Sequence, residues 1–135
     1  LAEVGPDDVV YDIGCGDGRL VIEAARRYGA RGVGVDSDSR LIAKARSNAH
    51  HAGVEERVTL FKQDAETLDL SGATVVMLYL LPATNLRLRH RLQEQLRPGA
   101  RVVSHRFDMG DWAPDRTKVV TLPDGATHTL YLWRI

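Results

Sequence analysis

The sequence predicts an α/β domain: a mostly parallel sheet with helices on both faces and one antiparallel strand near its edge. Three observations carry that prediction. Short apolar runs alternate with stretches of helical periodicity, the pattern of successive βαβ units. One of those runs, "ATVVMLYLL" (Ala73–Leu81), is apolar throughout, as a strand covered on both faces must be. The chain then closes on two strand-like runs around "PDGA", which reads as a hairpin and not as another crossover.

Each element has its own signal. "DVVYDI" (Asp8–Ile13) is the first strand. "GRLVIEAARRYG" follows as a helix with Leu20, Val21, Ala24 and Ala25 on one face and Gly29 ending it. "RGVGVD" (Arg31–Asp36) is the second strand. "DSRLIAKARSNAHHAG" is the second helix, capped near Ser37 or Asp38 and ended by Gly53. His50 and His51 sit beside the negative end of its dipole. "RVTLFKQD" (Arg57–Asp64) is the third strand, Ala73–Leu81 the fourth. "ATNLRLRHRLQEQLRPG" is a helix stopped by Pro98 and Gly99, with Leu88, Leu92 and Leu96 as its buried stripe. Its arginines, Arg87, Arg89, Arg91 and Arg97, then form a solvated face. "ARVVSHRF" is the fifth strand, and "RTKVVTL" and "THTLYLWRI" make the hairpin.

The bulk numbers bound the function. With 135 residues the chain is one domain over 1–135, large enough for its own core. It starts at Leu1, not Met, so a native N-terminal segment is expected to be missing. Lys plus Arg equals Asp plus Glu at 18 each, which argues against nucleic acid and against an anionic membrane as partner. The single cysteine excludes an internal disulfide and fits a reducing, cytoplasmic compartment. No apolar run is long enough to span a membrane. No Cys/His/carboxylate spacing supports a metal site. The oligomeric state stays open.

The chemistry is concentrated after the first strand. In "VVYDIGCGDGRL" three glycines, Gly14, Gly16 and Gly18, alternate with Cys15 and Asp17. Glycine permits positive φ and lets a ligand approach the backbone. The helix that follows offers free N–H groups. A dinucleotide loop is spaced G-x-G-x-x-G; this one is G-x-G-x-G, with Asp12 and Asp17 crowding the place a pyrophosphate would take. A ligand carrying an ammonium and a sulfonium fits better. Asp36, followed by Ser37, ends the second strand, where a carboxylate accepts from a ribose diol. Asp64, followed by Ala65, ends the third, within reach of an adenine amino group. Cys15 has no base beside it in the sequence and reads as a small filler.

The loop Asp12–Gly18, with Asp36 and Asp64 at the next two strand ends, resembles the class I S-adenosylmethionine (SAM)-dependent methyltransferases. The resemblance covers nearly the whole chain. It implies a Rossmann-like, seven-stranded sheet of order 3-2-1-4-5-7-6 with the last strand antiparallel. It also implies SAM as cofactor and S-adenosyl-L-homocysteine (SAH) as product. The implied cofactor-binding residues are Asp12, Gly14, Cys15, Gly16, Gly18, Asp36, Ser37, Asp64, Ala65 and Tyr79.

The acceptor faces the end of the fourth strand, which reads Tyr79-Leu80-Leu81-Pro82. Base amino-methylases usually carry an acid or amide followed by two prolines there, and cytosine C5 methylases need a Pro-Cys nucleophile. This chain has neither. "ARVVSHRFDMGDWAPD" (Ala100–Asp115), with "LLP" and "TLYLW", resembles the protein-lysine methyltransferases that act on the c-ring protein of ATP synthase and on adenine nucleotide translocase, and their small bacterial relatives. The implied activity is methyl transfer to a nitrogen, on a protein lysine. A small amine as acceptor, or a silent SAM-binding module, stays open as an alternative. Tyr79, Leu80 and Pro82 would shape the acceptor entrance, His105 or Asp108 would take the proton or steer the cation, and Trp112 would close over the entrance.

Overall fold

The computed structural model describes residues 3–78, 82–105, 108–121 and 123–135. In chain order the elements are β1 (Val9–Ile13), α1 (Arg19–Tyr28), β2 (Arg31–Asp36), α2 (Ser39–His51), β3 (Val58–Lys62), a 3-10 turn (Ala65–Thr67), β4 (Val75–Leu78), α3 (Pro82–Gln95), β5 (Arg101–His105), β6 (Arg116–Thr121) and β7 (Thr127–Arg134). The seven strands form one sheet in the order β3-β2-β1-β4-β5-β7-β6. The pairs among β1 to β5 are parallel, whereas β7 runs antiparallel to both β5 and β6. The strand order and the antiparallel β7 are those implied by the methyltransferase resemblance.

Packing explains why β7 takes the inner position. Leu132 and Trp133 of β7 are completely buried, while nearly every residue of β6 faces solvent. The apolar strand is therefore paired on both sides, and the polar one with Lys118 forms the edge. Asp124 accepts from the Ala126 N–H at 2.9 Å, and Gly125 adopts φ 86°, which tightens the turn between them.

Two hydrophobic layers sandwich the sheet. One packs Val21, Ala24, Ala25, Ile42 and Ala45 of α1 and α2 against Val10 and Val75. The other packs Leu88 and Leu92 of α3 against Val76, Leu78, Val102 and Trp133. Within α1, Ile22 joins the core and Leu20 does not; Leu20 is half exposed. The helix has rolled so that its buried stripe starts one residue later than its periodicity suggests. Asp38 is the N-cap of α2, accepting from the Arg40 N–H at 2.9 Å. β4 ends at Leu78, and the expected continuation to Leu81 falls in 79–81, outside the described residues. Pro82 opens α3, the position where its fixed φ and missing N–H cost least. None of the helices among the described residues is long and apolar enough to cross a membrane.

β1 has β2 on one side and β4 on the other, so chain order reverses there. In an open α/β sheet that reversal leaves a crevice beyond the carboxyl ends of the strands.

Candidate active site

The loop between β1 and α1 is built on left-handed backbone. Gly14, Gly16 and Gly18 have φ of 78°, 56° and 81°, values that side chains with a Cβ rarely tolerate. The Gly14 and Cys15 N–H groups both donate to the Val35 carbonyl, at 2.9 and 3.0 Å, tying the loop to β2. Asn48 of α2 donates to the Asp17 carbonyl at 3.0 Å. The approach is so close that a Cβ on Gly34 would stand 2.7 Å from a Leu60 methyl and 3.1 Å from Cys15 Sγ. Cys15 therefore fills the gap between loop and strand. Burial, then the Asp12 and Asp36 charges, pushes its thiol up to about 12, which disfavours the nucleophilic thiolate.

Two carboxylates lie behind and beside the loop. Asp36, at the end of β2, accepts from the Gly16 N–H at 3.0 Å and from the Asp38 N–H at 2.9 Å. One residue thus fixes both the glycine loop and the entry to α2. Asp12 is almost fully buried, and burial, reinforced by Asp36, raises its carboxyl to about 7. The folded protein then holds this proton more tightly than the unfolded chain does. Stability should fall as pH rises from about 4 towards 7, and the full penalty should remain above that. Urea midpoints for wild type and Asp12→Asn at about pH 5 and pH 8 check this: the wild type should lose more than the variant. Equal losses in the two would contradict it.

A cleft of about 390 Å³ opens beyond β1, β2 and β3, lined by Gly14, Val35, Asp36, Ser37, Gln63, Asp64, Ala65, Glu66, Thr84 and Arg87, a size suited to a cofactor-sized ligand. It brings together five residues expected from the sequence: Gly14, Asp36, Ser37, Asp64 and Ala65. Gly16 and Gly18 shape the loop behind it. Asp12 and Cys15 do not line it. Asp64 accepts from the Glu66 N–H at 2.8 Å, capping the 3-10 turn that forms one wall. The donor set fits a nucleoside: an accessible carboxylate at each of two strand ends and a glycine backbone between them. No group of three or more His, Cys, Asp or Glu among the described residues could hold a metal ion.

The acceptor side is less unified. Tyr79 and Leu80 lie outside the described residues, and Pro82 is the first residue of α3. His105 ends β5, its Nε2 2.6 Å from Nδ1 of His128 on β7. Trp112 goes elsewhere. Its ring packs against Trp133 at a tilt of 40°, with centroids 5.6 Å apart, and its carbonyl accepts from Trp133 Nε1 at 2.8 Å. Trp133 pairs with Val102, whereas His105 pairs with Leu130. Side chains alternate along a strand, so Val102 and His105 face opposite sides of the sheet. Trp112 thus packs on the α3 layer, on the face opposite to that of His105. Trp112→Ala should lower the melting temperature while the folded fraction keeps its turnover, as paired melting and single-turnover rates would reveal. A tenfold turnover loss at unchanged stability would instead support the entrance role.

Several residues here had no motif to announce them. Thr84 and Arg87 lie three apart on α3 and so share a face; that spacing was the available signal. Arg87 pairs with Glu66, Arg89 with Asp111, and Arg91 donates to the Leu68 carbonyl at 2.6 Å. Three arginines of the supposedly solvated face are thus tied down. Asn85, fully buried, donates to Ser104 Oγ at 3.1 Å and to the Asp108 carbonyl at 3.4 Å, joining α3 to the end of β5.

A family profile described as the ANTKMT methyltransferase domain matches residues 12–116. A protein-lysine N-methyltransferase of Saccharolobus islandicus (strain REY15A) is 41% identical over 137 residues, covering 100% of this chain and 84% of that protein. The adenine nucleotide translocase lysine N-methyltransferase of Mus musculus is 36% identical over 106 residues, 78% of this chain and 46% of that protein. The chain thus spans about half the length of the vertebrate relatives it matches. A crystal structure named as an RNA methyltransferase from Salinibacter ruber, in complex with SAH, superposes with a TM-score of 0.91 at 56% identity, covering 99% of this chain and 84% of that one.

Proposed function

Because the chain belongs to the ANTKMT methyltransferase domain family and is a SAM-dependent methyltransferase, we propose that it methylates the side-chain amine of a protein lysine. The carrying observation is the likeness, over the whole of this chain and 84% of that protein, to the Saccharolobus protein-lysine N-methyltransferase. Neutral net charge and the absence of a base-methylase motif after β4 support the same reading.

Bound SAM supplies a methyl group on a positively charged sulfur. The chain's part is to hold and align. Asp36 takes the ribose hydroxyls, Asp64 takes the adenine edge, and the backbone of Gly14 to Gly18 takes the methionine portion. Asp12, buried behind the loop, favours a cationic group on the ligand. The lysine ammonium ionises near pH 10.4 and must lose its proton before its lone pair can attack. Apolar surroundings disfavour the charged form. His105, whose Nε2 lies 2.6 Å from Nδ1 of His128, takes the proton. Bound SAM would then supply the methyl for the new nitrogen–carbon bond, and the pair of the broken carbon–sulfur bond would stay on sulfur.

Turnover should climb with pH between about 7 and 9, by up to tenfold per unit while the amine is mostly protonated. Initial rates with labelled SAM and a lysine-rich protein acceptor measure this. Acetylating the acceptor's lysines should abolish incorporation; persistent incorporation would sink the lysine reading.

A second reading comes from the name of the Salinibacter structure: RNA as acceptor. Against it stand the balanced charge of the chain and the internal pairing of Arg87 and Arg89 with acidic residues. RNA binding draws on unpaired cations.

A further inference from the structure

We propose that Arg87 is a cofactor-binding residue whose guanidinium lies flat on the purine of the bound cofactor. The inference rests on reading the cleft as the adenosine site. That cleft is a slot between two walls. The strand ends and the 3-10 turn give Asp36, Asp64, Ala65 and Glu66; α3 gives Thr84 and Arg87.

The guanidinium is gripped by its edges. Nε donates to Glu66, and a terminal nitrogen donates to Thr84 Oγ1 at 3.3 Å. Hydrogen bonds to guanidinium lie in its plane. A group held on two edges offers its flat face to whatever enters. None of the described residues lining the cleft is aromatic, so the guanidinium is the broad delocalised surface available there. Arginine stacks on π systems, whereas lysine is a compact point charge that does not. Among the described residues of the lining, Arg87 is also the one cation beside Asp36, Asp64 and Glu66. In this arrangement Glu66 is a positioning residue. It orients Arg87 and balances its charge.

Calorimetric titration with SAH, and separately with adenosine, tests the assignment on wild type, Arg87→Met, Arg87→Lys, Glu66→Gln, the Arg87→Met/Glu66→Gln pair and Asp36→Ala. Arg87 is largely exposed, and methionine is a good helix former, so the variant folds. Arg87→Met should weaken both ligands by about five- to tenfold, because the contact is to the purine they share. Arg87→Lys should recover less than half of that loss in free energy. Glu66→Gln should weaken binding by about twofold to threefold and add nothing once Arg87 is gone. A helix staple with no ligand role predicts lower melting temperatures for Arg87→Met with SAH affinity within twofold of wild type, and that result overturns the proposal. If Asp36→Ala loses affinity while Arg87→Met does not, the adenosine site stands and only the Arg87 assignment falls. If neither variant loses affinity, both fall.

Discussion

Alanine in place of Trp133 should destabilise the protein by about 3–5 kcal/mol, the range for removing a large aromatic from a core. Trp133 is completely buried. It touches Tyr131 and Trp112 through ring contacts, with centroids 5.9 and 5.6 Å apart, and donates from Nε1 to the Trp112 carbonyl. Its removal therefore opens a cavity and releases the segment joining β5 to β6 at once. Against a typical total of about 5–15 kcal/mol, such a loss should drop the melting temperature by roughly 10–20 °C. Trp133→Phe should fall between the two, since it keeps most of the volume and loses the indole donor. Denaturant midpoints for both variants decide the matter. An alanine variant within about 1 kcal/mol of wild type would mean that the α3 layer does not rest on this ring.

The second large effect is on binding. Asp36→Ala should weaken SAH by roughly 1.5–3 kcal/mol, the range for losing hydrogen bonds to a charged group. Two causes combine here. The carboxylate is the expected partner of the ribose hydroxyls, and it also receives the Gly16 and Asp38 N–H groups. The variant thus loses a ligand contact and loosens the loop that makes the others. Asp36→Asn separates these: its amide oxygen can still accept from one N–H, so the loop should hold better than in Asp36→Ala while ribose binding suffers. Isothermal titration gives the affinities, and amide exchange at Gly16 reports the loop. Unchanged affinity in Asp36→Ala would remove Asp36 from the ribose site.

The parts of this molecule that were legible in the sequence are those that topology decides. In a parallel sheet every strand delivers its carboxyl end to the same edge, so Gly14, Asp36 and Asp64 had to meet once β1, β2 and β3 were recognised as neighbours. The hairpin was legible because "PDGA" is local turn chemistry. What could not be read depends on long-range register and tilt. Whether Arg87 reaches the cleft depends on how α3 lies across the sheet, which Leu88 and Leu92 decide by packing. The meeting of His105 with His128 and of Trp112 with Trp133 depends on the register of β7 on β5, and a shift of one residue would have reversed both. Leu20 was misplaced because the apolar stripe of α1 admits two rotations, and the match of Val21 and Ile22 to the sheet selects between them.

The most direct test of the proposed activity is to identify the atom that receives the methyl. Purified chain is incubated with methyl-labelled SAM and a cell extract lacking the endogenous protein. The reaction is divided, one part is digested with protease and one with ribonuclease, and the protein from a third is hydrolysed to amino acids. A lysine methyltransferase predicts label that disappears with protease, survives ribonuclease, co-elutes with methyllysine after hydrolysis, and is absent with Asp36→Ala. Label that survives protease, vanishes with ribonuclease and resides in a methylated base would contradict it.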